Sequence, residues 1–501
     1  MAMAKSSQDE HWSGRAAFIL AAIGSAVGIG NLVRFPYVAG ETGGGAFVLV
    51  YLFCVLAIGL PVLMAELFVG RRGGGTPVAA IRRLAEVEGA PYAWQLMGWI
   101  GVVASFLIVS FYAVVAGWLL YYVVFMIGDF VSALGSSGIG AIVAPAFAGD
   151  SQETITGSFP ALLASPGTMI LYDAIFVGIT AFIVSRGVTA GIEKAATVLM
   201  PLFFVLLIVL AIVSMLTGNT VAALDFLFMP KFDALLADFK DGSIMVTAVG
   251  QAFFSLSLGS VMMVTYGIYL GRDQSIPESA ATVAISDTAV ALVAGLAVFP
   301  VLFQFNLEPS GGGLGLLFGP LLLAFNQMPF GSLFGIAFFA MAVFAALTSA
   351  IALFEAAASV ATGDITLDEA TRKRRRVIGS IIFAGVLLVL GTFHALSSVP
   401  PDAANTGLNT WYPFGNLPVV GGMTLLDATN AFTGEILLPL GGFLIAVFAG
   451  YVVSQSASRE ELGFKTAAGY QRWRFLIRYV CPSIVGLIIV YGLVIAPFFL
   501  S

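Results

Sequence analysis

The first apolar run of the chain contains groups that an ordinary membrane helix lacks. It reads GSAVGIGNLVRFP from Gly24, with further glycines at Gly28 and Gly30 and then Asn31 and Arg34. Backbone groups in lipid need partners, so this composition predicts a break in the helix. Unwound carbonyls are hard oxygen ligands that suit a small cation. Gly24 and Gly28 alone would also fit close helix packing, but the polar residues that follow favour a break.

A second apolar run, GQAFFSLSLGS from Gly250 to Ser260, collects hydroxyls and glycines near its centre. Paired interruptions at corresponding positions of two halves are typical of secondary transporters. The amino ends of half-helices also offer free N–H groups to an anion. The two runs therefore predict a site for a cation and an anionic group in the middle of a membrane.

Two further spans contain polar side chains, which are costly inside a membrane and therefore indicate a function or a partner. Asp287 lies within a third apolar run, where a carboxylate costs about 2.5–3.5 kcal/mol, so it is expected to face a cavity. A structural, protonated aspartate is the alternative. Thr348 and Ser349 lie in a fourth run. Such hydroxyls either join the cation site or bond back to their own helix.

The composition requires membrane helices to position these residues. Of 501 residues, 59% are apolar and 10% are charged, against about 25% charged in soluble domains. These values exclude an ordinary cytosolic enzyme and a disordered protein, and the net charge of −6 leaves no basic surface for nucleic acid. Cys54 and Cys481 lie in apolar runs and are expected to be buried free thiols.

A window of about 20 apolar residues predicts eleven spans. Their approximate limits are 16–40, 45–70, 94–126, 168–186, 190–216, 243–270, 279–304, 332–360, 376–394, 422–453 and 474–499. The fourth is short and contains Asp173, and the interrupted region 313–330 is expected to form a helical hairpin over the outer face. With the N-terminus inside, 19 of the 22 basic residues fall on the cytoplasmic side, which predicts a cytoplasmic N-terminus and an external C-terminus. The basic run at 372–376 is interpreted as a topology signal rather than a lipid site.

Taken together, these residues resemble the neurotransmitter:sodium symporter family. The motifs that carry the resemblance are AVGIGNLVRFP at 26–36, HW at 11–12, GGGAF at 43–47, AVGQAFFSLSLG at 248–259 and LTS at 347–349. The resemblance runs from about residue 10 to 495. It implies an all-α integral membrane protein, a single transporter domain over 1–501, with about eleven transmembrane helices in a 5+5 inverted repeat. The repeats would cover about 16–216 and 243–453, with broken first and sixth helices and an extra helix at about 474–499.

The resemblance also implies two sodium ions and a set of ligands for each. One ion would be bound by Gly24, Val27, Ala345, Thr348 and Ser349. The other would be bound by Ala26, Asn31, Ser255, a residue of span seven (Asp287) and the carboxylate of the substrate.

An amino-acid substrate would lie between the two breaks, with its carboxylate on the amides of Ile29 and Gly30 and on the hydroxyl of Tyr112. The full set of implied substrate contacts is Ser25, Ala26, Gly28, Ile29, Gly30, Ile108, Tyr112, Phe254, Ser255, Ser257, Ser260, Ser349 and Leu353. Arg34 and Asp427 resemble the outer gate pair, above a lid of Tyr112 and Phe254, and Trp12 resembles the inner gate residue.

Several departures from the family pattern refine these expectations. The sodium-binding Asn of span seven appears as Ser286 or Asp287, depending on the register, and Asp287 would replace the charge of chloride, which predicts chloride independence. Gly28 stands where monoamine transporters have Asp, which favours a zwitterionic amino acid. Ser260 replaces a bulky aromatic residue and leaves room for a large side chain.

The inner gate and span five remain open. Asp9 stands where the family has a cytoplasmic Arg, and its Asp partner falls near 363–364, so Lys5 or Arg15 are possible substitutes. Gly191 and Pro201 in span five resemble a motif that lets the helix unwind to hydrate the inner sodium site, and a tolerated proline kink explains them equally well.

The sequence therefore predicts a sodium-coupled importer of a hydrophobic or aromatic L-amino acid in a bacterial inner membrane, and not an enzyme. Its partners would be the amino acid and the lipid bilayer, without nucleic acid. The alternatives are the same fold with another small neutral amino acid or osmolyte, a non-transporting amino-acid sensor, and an intramembrane hydrolase. The oligomeric state does not follow from the sequence.

Overall fold

The structure, a computed structural model, describes residues 11–232, 243–307, 315–362, 368–415, 417 and 421–491. Within these ranges the chain is helical and contains no strand. Lys5, Asp9 and the region 363–364, which bear on the inner gate, lie outside the described residues.

The long helices are apolar enough to cross a membrane. The helices, numbered in chain order, are α1 (Arg15–Ala26), α2 (Gly30–Glu41), α3 (Gly45–Gly73), α4 (Pro77–Val87), α5 (Tyr92–Ile142), α6 (Gln152–Leu163), α7 (Pro166–Ser185), α8 (Val188–Thr217), α9 (Thr220–Phe228), α10 (Ser243–Ser255), α11 (Met262–Ile268), α12 (Ile276–Gln304), α13 (Gly315–Phe318), α14 (Pro320–Gln327), α15 (Gly331–Thr362), α16 (Glu369–Ser397), α17 (Leu425–Val452), α18 (Gln455–Leu462) and α19 (Ala467–Val490).

Both predicted breaks are confirmed. Helices α1 and α2 form one span that bends by 52° around Val27, whose backbone is extended (φ −72°, ψ 115°). Between α10 and α11 the backbone is irregular, and Ser257, Gly259 and Val261 have φ of 51°, 84° and 51°. A positive φ is costly for residues with a side chain, so this segment is held open by its surroundings.

Within the described residues nine helices are long and apolar enough to cross a membrane, or ten if the bent pair α1–α2 counts as one span. The predicted sixth span is divided into α10 and α11, and neither half is long enough to pass alone. The count of eleven spans therefore stays a prediction, as does the inverted repeat. The region predicted as a hairpin at 313–330 contains the short helices α13 and α14.

Helices α5 and α15 run along each other through the centre, and the broken spans pack beside them. On the outside, Val205, Ile208 and Ile381 are more than half exposed, at 57%, 54% and 65%. An apolar exterior of this kind fits lipid rather than water. Cys54 and Cys481 are buried and free, as predicted.

Span five is one continuous helix, α8. It starts with a π-helical turn, Val188–Glu193, and contains Pro201 in its interior. The helix is thus not unwound between Gly191 and Pro201, and the choice between an unwinding motif and a tolerated kink stays open.

Candidate functional site

The oxygens predicted for the first cation converge where α15 faces the break in span one. The Ser349 hydroxyl donates to the carbonyl of Val27 at 2.9 Å and contacts that of Gly24 at 3.4 Å. The Thr348 hydroxyl donates to Ala345 and Phe344 of its own helix, at 3.1 Å each. Thr348 therefore bonds back to its own helix, whereas Ser349 reaches across to the opened backbone of span one.

This packing favours a glycine at position 24. A Cβ atom there would lie 2.9 Å from the sulfur of Met200 and 3.1 Å from Cβ of Thr348. Gly24 thus lets α1 approach α8 and α15, which brings its carbonyl to Ser349. The result is a cluster of carbonyl and hydroxyl oxygens, the donor set that a hard monovalent cation prefers.

The residues predicted for the second cation are joined directly. Asn31 Nδ2 donates to Oδ1 of Asp287 at 2.8 Å and to the hydroxyl of Ser255 at 2.9 Å. Ser255 in turn donates to Oδ2 of Asp287 at 2.6 Å. All three side chains are completely buried. The structure therefore resolves the register in span seven: Asp287, and not Ser286, faces the broken helices.

A small cavity of about 30 Å³ separates the two breaks. Its lining consists of Ala26, Gly28, Ile29, Gly30, Ile108, Tyr112, Phe254, Ser257, Ser349, Leu353 and Leu438. Ten of these eleven residues belong to the predicted substrate contacts. The amide of Ile29 donates to the hydroxyl of Tyr112 at 3.3 Å, so the groups expected to bind a carboxylate already face each other.

Three predicted substrate contacts are not part of this lining. The Ser25 hydroxyl donates to Ala22 of its own helix at 2.8 Å. The Ser260 hydroxyl donates to the carbonyl of Ser257 at 2.6 Å. Ser255 belongs to the cluster of Asn31 and Asp287 instead.

A larger cavity of about 600 Å³ lies above the small one, at the end of the molecule opposite Trp12. Its lining includes Arg34, Tyr37, Phe111, Asp427 and Asn430. We call this cavity the vestibule. Ile29, Tyr112 and Phe254 line both cavities, so the predicted lid residues lie between the vestibule and the small cavity.

The predicted gate pair is apart. Within the described residues no ion pair of 4.0 Å or less joins Arg34 to Asp427. Arg34 instead lies over the ring of Phe254, 4.6 Å from its centroid, and Asp427 accepts a hydrogen bond from Thr424 at 2.9 Å. Both residues nevertheless line the vestibule, where they can meet only after movement.

The opposite end is closed by Trp12. Its indole N–H donates to the carbonyl of Tyr266 at 3.3 Å, and its ring lies 5.1 Å from that of Tyr266 and 6.0 Å from that of Phe18. Ser13 next to it donates from its amide to Glu193 at 2.9 Å and from its hydroxyl to the same carboxylate. Arg15, a candidate inner gate residue, pairs with Glu278 at 3.3 Å.

Four residues of the site had no assigned role in the sequence. Gln251 donates to the carbonyl of Gly30 at 2.9 Å and so joins the two broken spans. Glu66 accepts from the amide of Gly259 at 2.7 Å. As an ionisable residue inside an apolar run, Glu66 carries the same signal that identified Asp287.

The other two missed residues gave weaker signals. Tyr51 is completely buried and its hydroxyl lies 3.4 Å from that of Ser255. Leu438 lines the small cavity from α17. A leucine in an apolar span is indistinguishable from ordinary packing, so only the fold could reveal it.

Comparison with known proteins adds independent findings. A sequence model of the Sodium:neurotransmitter symporter family matches residues 9–132 and 161–397. The "Uncharacterized sodium-dependent transporter YhdH" of Bacillus subtilis is 34% identical over 486 residues, 96% of each chain. An "Uncharacterized sodium-dependent transporter" of Haemophilus influenzae is 29% identical over 97% of this chain and 98% of its own. The crystal structure of MhsT in complex with L-phenylalanine superimposes with a TM-score of 0.80 and 36% identity, over 97% of this chain and 100% of MhsT.

Proposed function

The chain belongs to the sodium:neurotransmitter symporter family, and from that premise we propose that it imports a hydrophobic or aromatic L-amino acid together with sodium. As a member of that family it is a multi-pass membrane transporter with the LeuT fold and not an enzyme. We also propose that the protein lies in a bacterial plasma membrane with its N-terminus in the cytoplasm, and that it binds two sodium ions.

One observation carries the proposal: two broken helices present opened backbone and hydroxyl oxygens around one small cavity. Ser349 reaches the carbonyls of one break. Ser255 at the other break is bonded to Asn31 and Asp287. Such oxygens can replace the water around a sodium ion, and the amides near Ile29 suit a carboxylate.

Coupling would follow from shared ligands. A substrate carboxylate between the Ile29 amide and the Asn31 cluster would complete the shell of one sodium ion, so that neither solute binds well alone. Two ions crossing about 100 mV release roughly 4.6 kcal/mol. A tenfold sodium gradient adds about 1.4 kcal/mol per ion. The sum of about 7 kcal/mol would sustain roughly a 10⁵-fold substrate gradient.

The hydrophobic substrate class is supported by the lining of the small cavity and by the phenylalanine in the MhsT complex. Ile108, Phe254, Leu353 and Leu438 offer an apolar surface. At about 30 Å³ the cavity has room for a few water molecules, so a large side chain would enter only after the lid and the lining move apart.

Chloride independence is supported by the position of Asp287. Its carboxylate lies within the cluster of Asn31 and Ser255 and would supply a fixed negative charge beside the cation. A transporter with this charge needs no bound anion for that purpose.

The test is uptake into proteoliposomes with an imposed inward sodium gradient, with all common amino acids screened. We expect accumulation of aromatic and large aliphatic amino acids, and none without sodium. Competition among amino acids would distinguish a small neutral or osmolyte substrate. Sodium-dependent binding without accumulation would instead identify a sensor.

A further inference from the structure

Helices α17 and α19 meet near one end of the molecule, where each contains a π-helical turn. The turn Phe448–Val452 ends α17, and the turn Leu476–Val480 lies within α19. Turns of this kind occur frequently at functional sites. Asp427 and Asn430, near the start of α17, line the vestibule. The last turn of α17 therefore lies at the opposite end of the molecule, that of Trp12.

Two arginines of α19 are held against this last turn of α17. Nη1 of Arg474 donates to the carbonyl of Ala449 at 3.0 Å. The guanidinium carbon of Arg478 lies 4.7 Å from the ring centroid of Tyr451, whose hydroxyl donates to the carbonyl of Arg478 at 2.7 Å. Gly450 allows the close approach, because a Cβ atom there would lie 3.1 Å from Cα of Arg478. Contacts with α17 thus position both guanidinium groups.

Neither arginine has the kind of partner that Arg71 has at the same end. Arg71 pairs with Glu461 of α18, the helix that follows α17, at 2.6 Å. Among the described residues no carboxylate lies within 4.0 Å of the guanidinium of Arg474 or Arg478. Nε of Arg478 is buried and has no hydrogen-bond partner in that part of the chain. The described residues therefore supply no counterion for these two charges.

Exposed aromatic side chains lie next to the two arginines. Tyr451, Phe475 and Tyr479 are 50%, 57% and 51% exposed. The ring of Tyr479 lies 5.7 Å from the guanidinium carbon of Arg478 and 5.6 Å from the ring of Phe475. Tyrosines at the end of a membrane span are typical of the level of the lipid headgroups. The two guanidinium groups therefore lie at the depth where phospholipid phosphates are found.

We propose that Arg474 and Arg478 form a binding site for the phosphate of an anionic phospholipid such as phosphatidylglycerol. Each guanidinium presents several N–H donors in one plane, and this geometry matches the oxygens of a phosphate. Basic pockets between membrane helices bind anionic headgroups in this way. The exposed rings contact the glycerol and the upper acyl chains, so the site favours a lipid over a soluble anion.

The usual excess of basic residues at the cytoplasmic ends of spans does not explain this arrangement. That bias depends on the number of Lys and Arg residues near the ends of spans and requires no contact with a second span. Arg472, which is exposed, satisfies it without such a contact. Arg474 and Arg478 both contact α17, and this fixed geometry is what a binding site requires.

Competition between two lipids with the same acyl chains tests the site in the full-length protein. The protein in detergent is titrated with phosphatidylglycerol or phosphatidylcholine, and native mass spectrometry measures the fraction of protein that carries each lipid. We expect tighter binding of phosphatidylglycerol, with a contribution of about fivefold in affinity from each arginine. Arg478→Gln should therefore weaken phosphatidylglycerol about fivefold, and combination with Arg474→Gln about 25-fold. Binding of phosphatidylcholine should not change.

Arg472→Gln is the matched control. It removes the same charge from the same helix, but at an exposed position two residues from Arg474 and thus on another side of the helix. The preference for phosphatidylglycerol should remain unchanged in this variant. A cooperative unfolding transition in detergent confirms that each variant is folded, and the comparison of the two lipids on the wild-type protein needs no variant.

Equal affinity of the wild-type protein for the two lipids would overturn the proposal. So would full affinity for phosphatidylglycerol in the double variant, or an equal loss in Arg472→Gln. Excess inorganic phosphate should leave the bound lipid in place, and its release would identify a site for a soluble anion instead. The test uses neither sodium nor an amino acid, so its result is independent of the proposed import.

Discussion

The hydroxyl of Ser255 donates to the carboxylate of Asp287 at 2.6 Å, in a completely buried position. This contact joins the end of α10 at the second break to the middle of α12. Asn31 from the first break donates to the other carboxylate oxygen at 2.8 Å. Three spans therefore meet at one carboxylate, which makes it the most direct point at which to test the site.

Asp287→Asn should weaken the apparent sodium affinity of substrate binding about tenfold or more, equivalent to at least about 1.4 kcal/mol. The reason is that a charged oxygen ligand is replaced by a neutral amide. Equilibrium binding of a labelled amino acid across a sodium titration measures it. Asp173→Asn is the matched control, because Asp173 is also a buried acid within a span but lies outside the site. Unchanged sodium dependence in Asp287→Asn would refute the assigned role.

Replacing chloride by gluconate should leave uptake by the wild-type protein unchanged, because Asp287 supplies the negative charge beside the cation. In Asp287→Asn that charge is lost, and chloride should then stimulate binding. Uptake at constant sodium with the two anions is the measurement. Stimulation of the wild-type protein by chloride would contradict the prediction.

Gly28→Ala should weaken substrate binding about fivefold to 150-fold. A Cβ atom at this position would lie 2.7 Å from the hydroxyl oxygen of Ser349 and 2.9 Å from that of Tyr112, so one of two site residues would be displaced. Overpacking of this kind costs about 1–3 kcal/mol. Gly178→Ala is the control, since nothing lies within 4 Å of the corresponding position in α7. Calorimetric or radioligand binding would show it, and retained affinity in Gly28→Ala would count against this location of the substrate.

The sequence indicated the broken spans because their violations are local: glycines, hydroxyls and Asn31 stand out in any apolar run. The same reasoning applied to Asp287, although only the structure shows that Asp287, and not Ser286, faces the broken helices. The partners of Arg34 were less accessible. Asp427 follows from the family pattern, whereas the position of Arg34 over the ring of Phe254 needed the structure. Only the tertiary packing shows that Leu438 lines the small cavity.

Trp12→Ala should open the cytoplasmic side. The indole fills a position against Tyr266 and Phe18, and removal of a buried Trp typically costs about 3–5 kcal/mol. The loss of this packing mainly destabilises the conformation that is closed at the cytoplasmic end. The equilibrium therefore shifts toward the conformation that is open at this end. A cysteine in place of Ser398, a vestibule residue, reports opening of the vestibule through its rate of alkylation by a charged thiol reagent. In Trp12→Ala this alkylation should slow, and substrate affinity should fall. Trp411→Ala, at a 49% exposed tryptophan, should change neither. Unaltered alkylation in Trp12→Ala would show that the ring does not hold this end closed.

Leu438 offers a test of the substrate class that does not involve the sodium ligands. Its side chain belongs to the wall of the small cavity and is 1% exposed. Leu438→Phe should therefore reduce affinity for aromatic amino acids much more than for alanine or valine, by about fivefold to 150-fold for an overpacking cost of 1–3 kcal/mol. Leu438→Ala should favour the largest side chains instead. Competition binding across the amino acids measures both shifts. Leu440→Phe, two residues along the same helix and absent from the cavity lining, should leave selectivity unchanged. If Leu438→Phe weakens all amino acids equally, α17 does not set the size of the substrate, and the selectivity must lie in Ile108, Phe254 and Leu353.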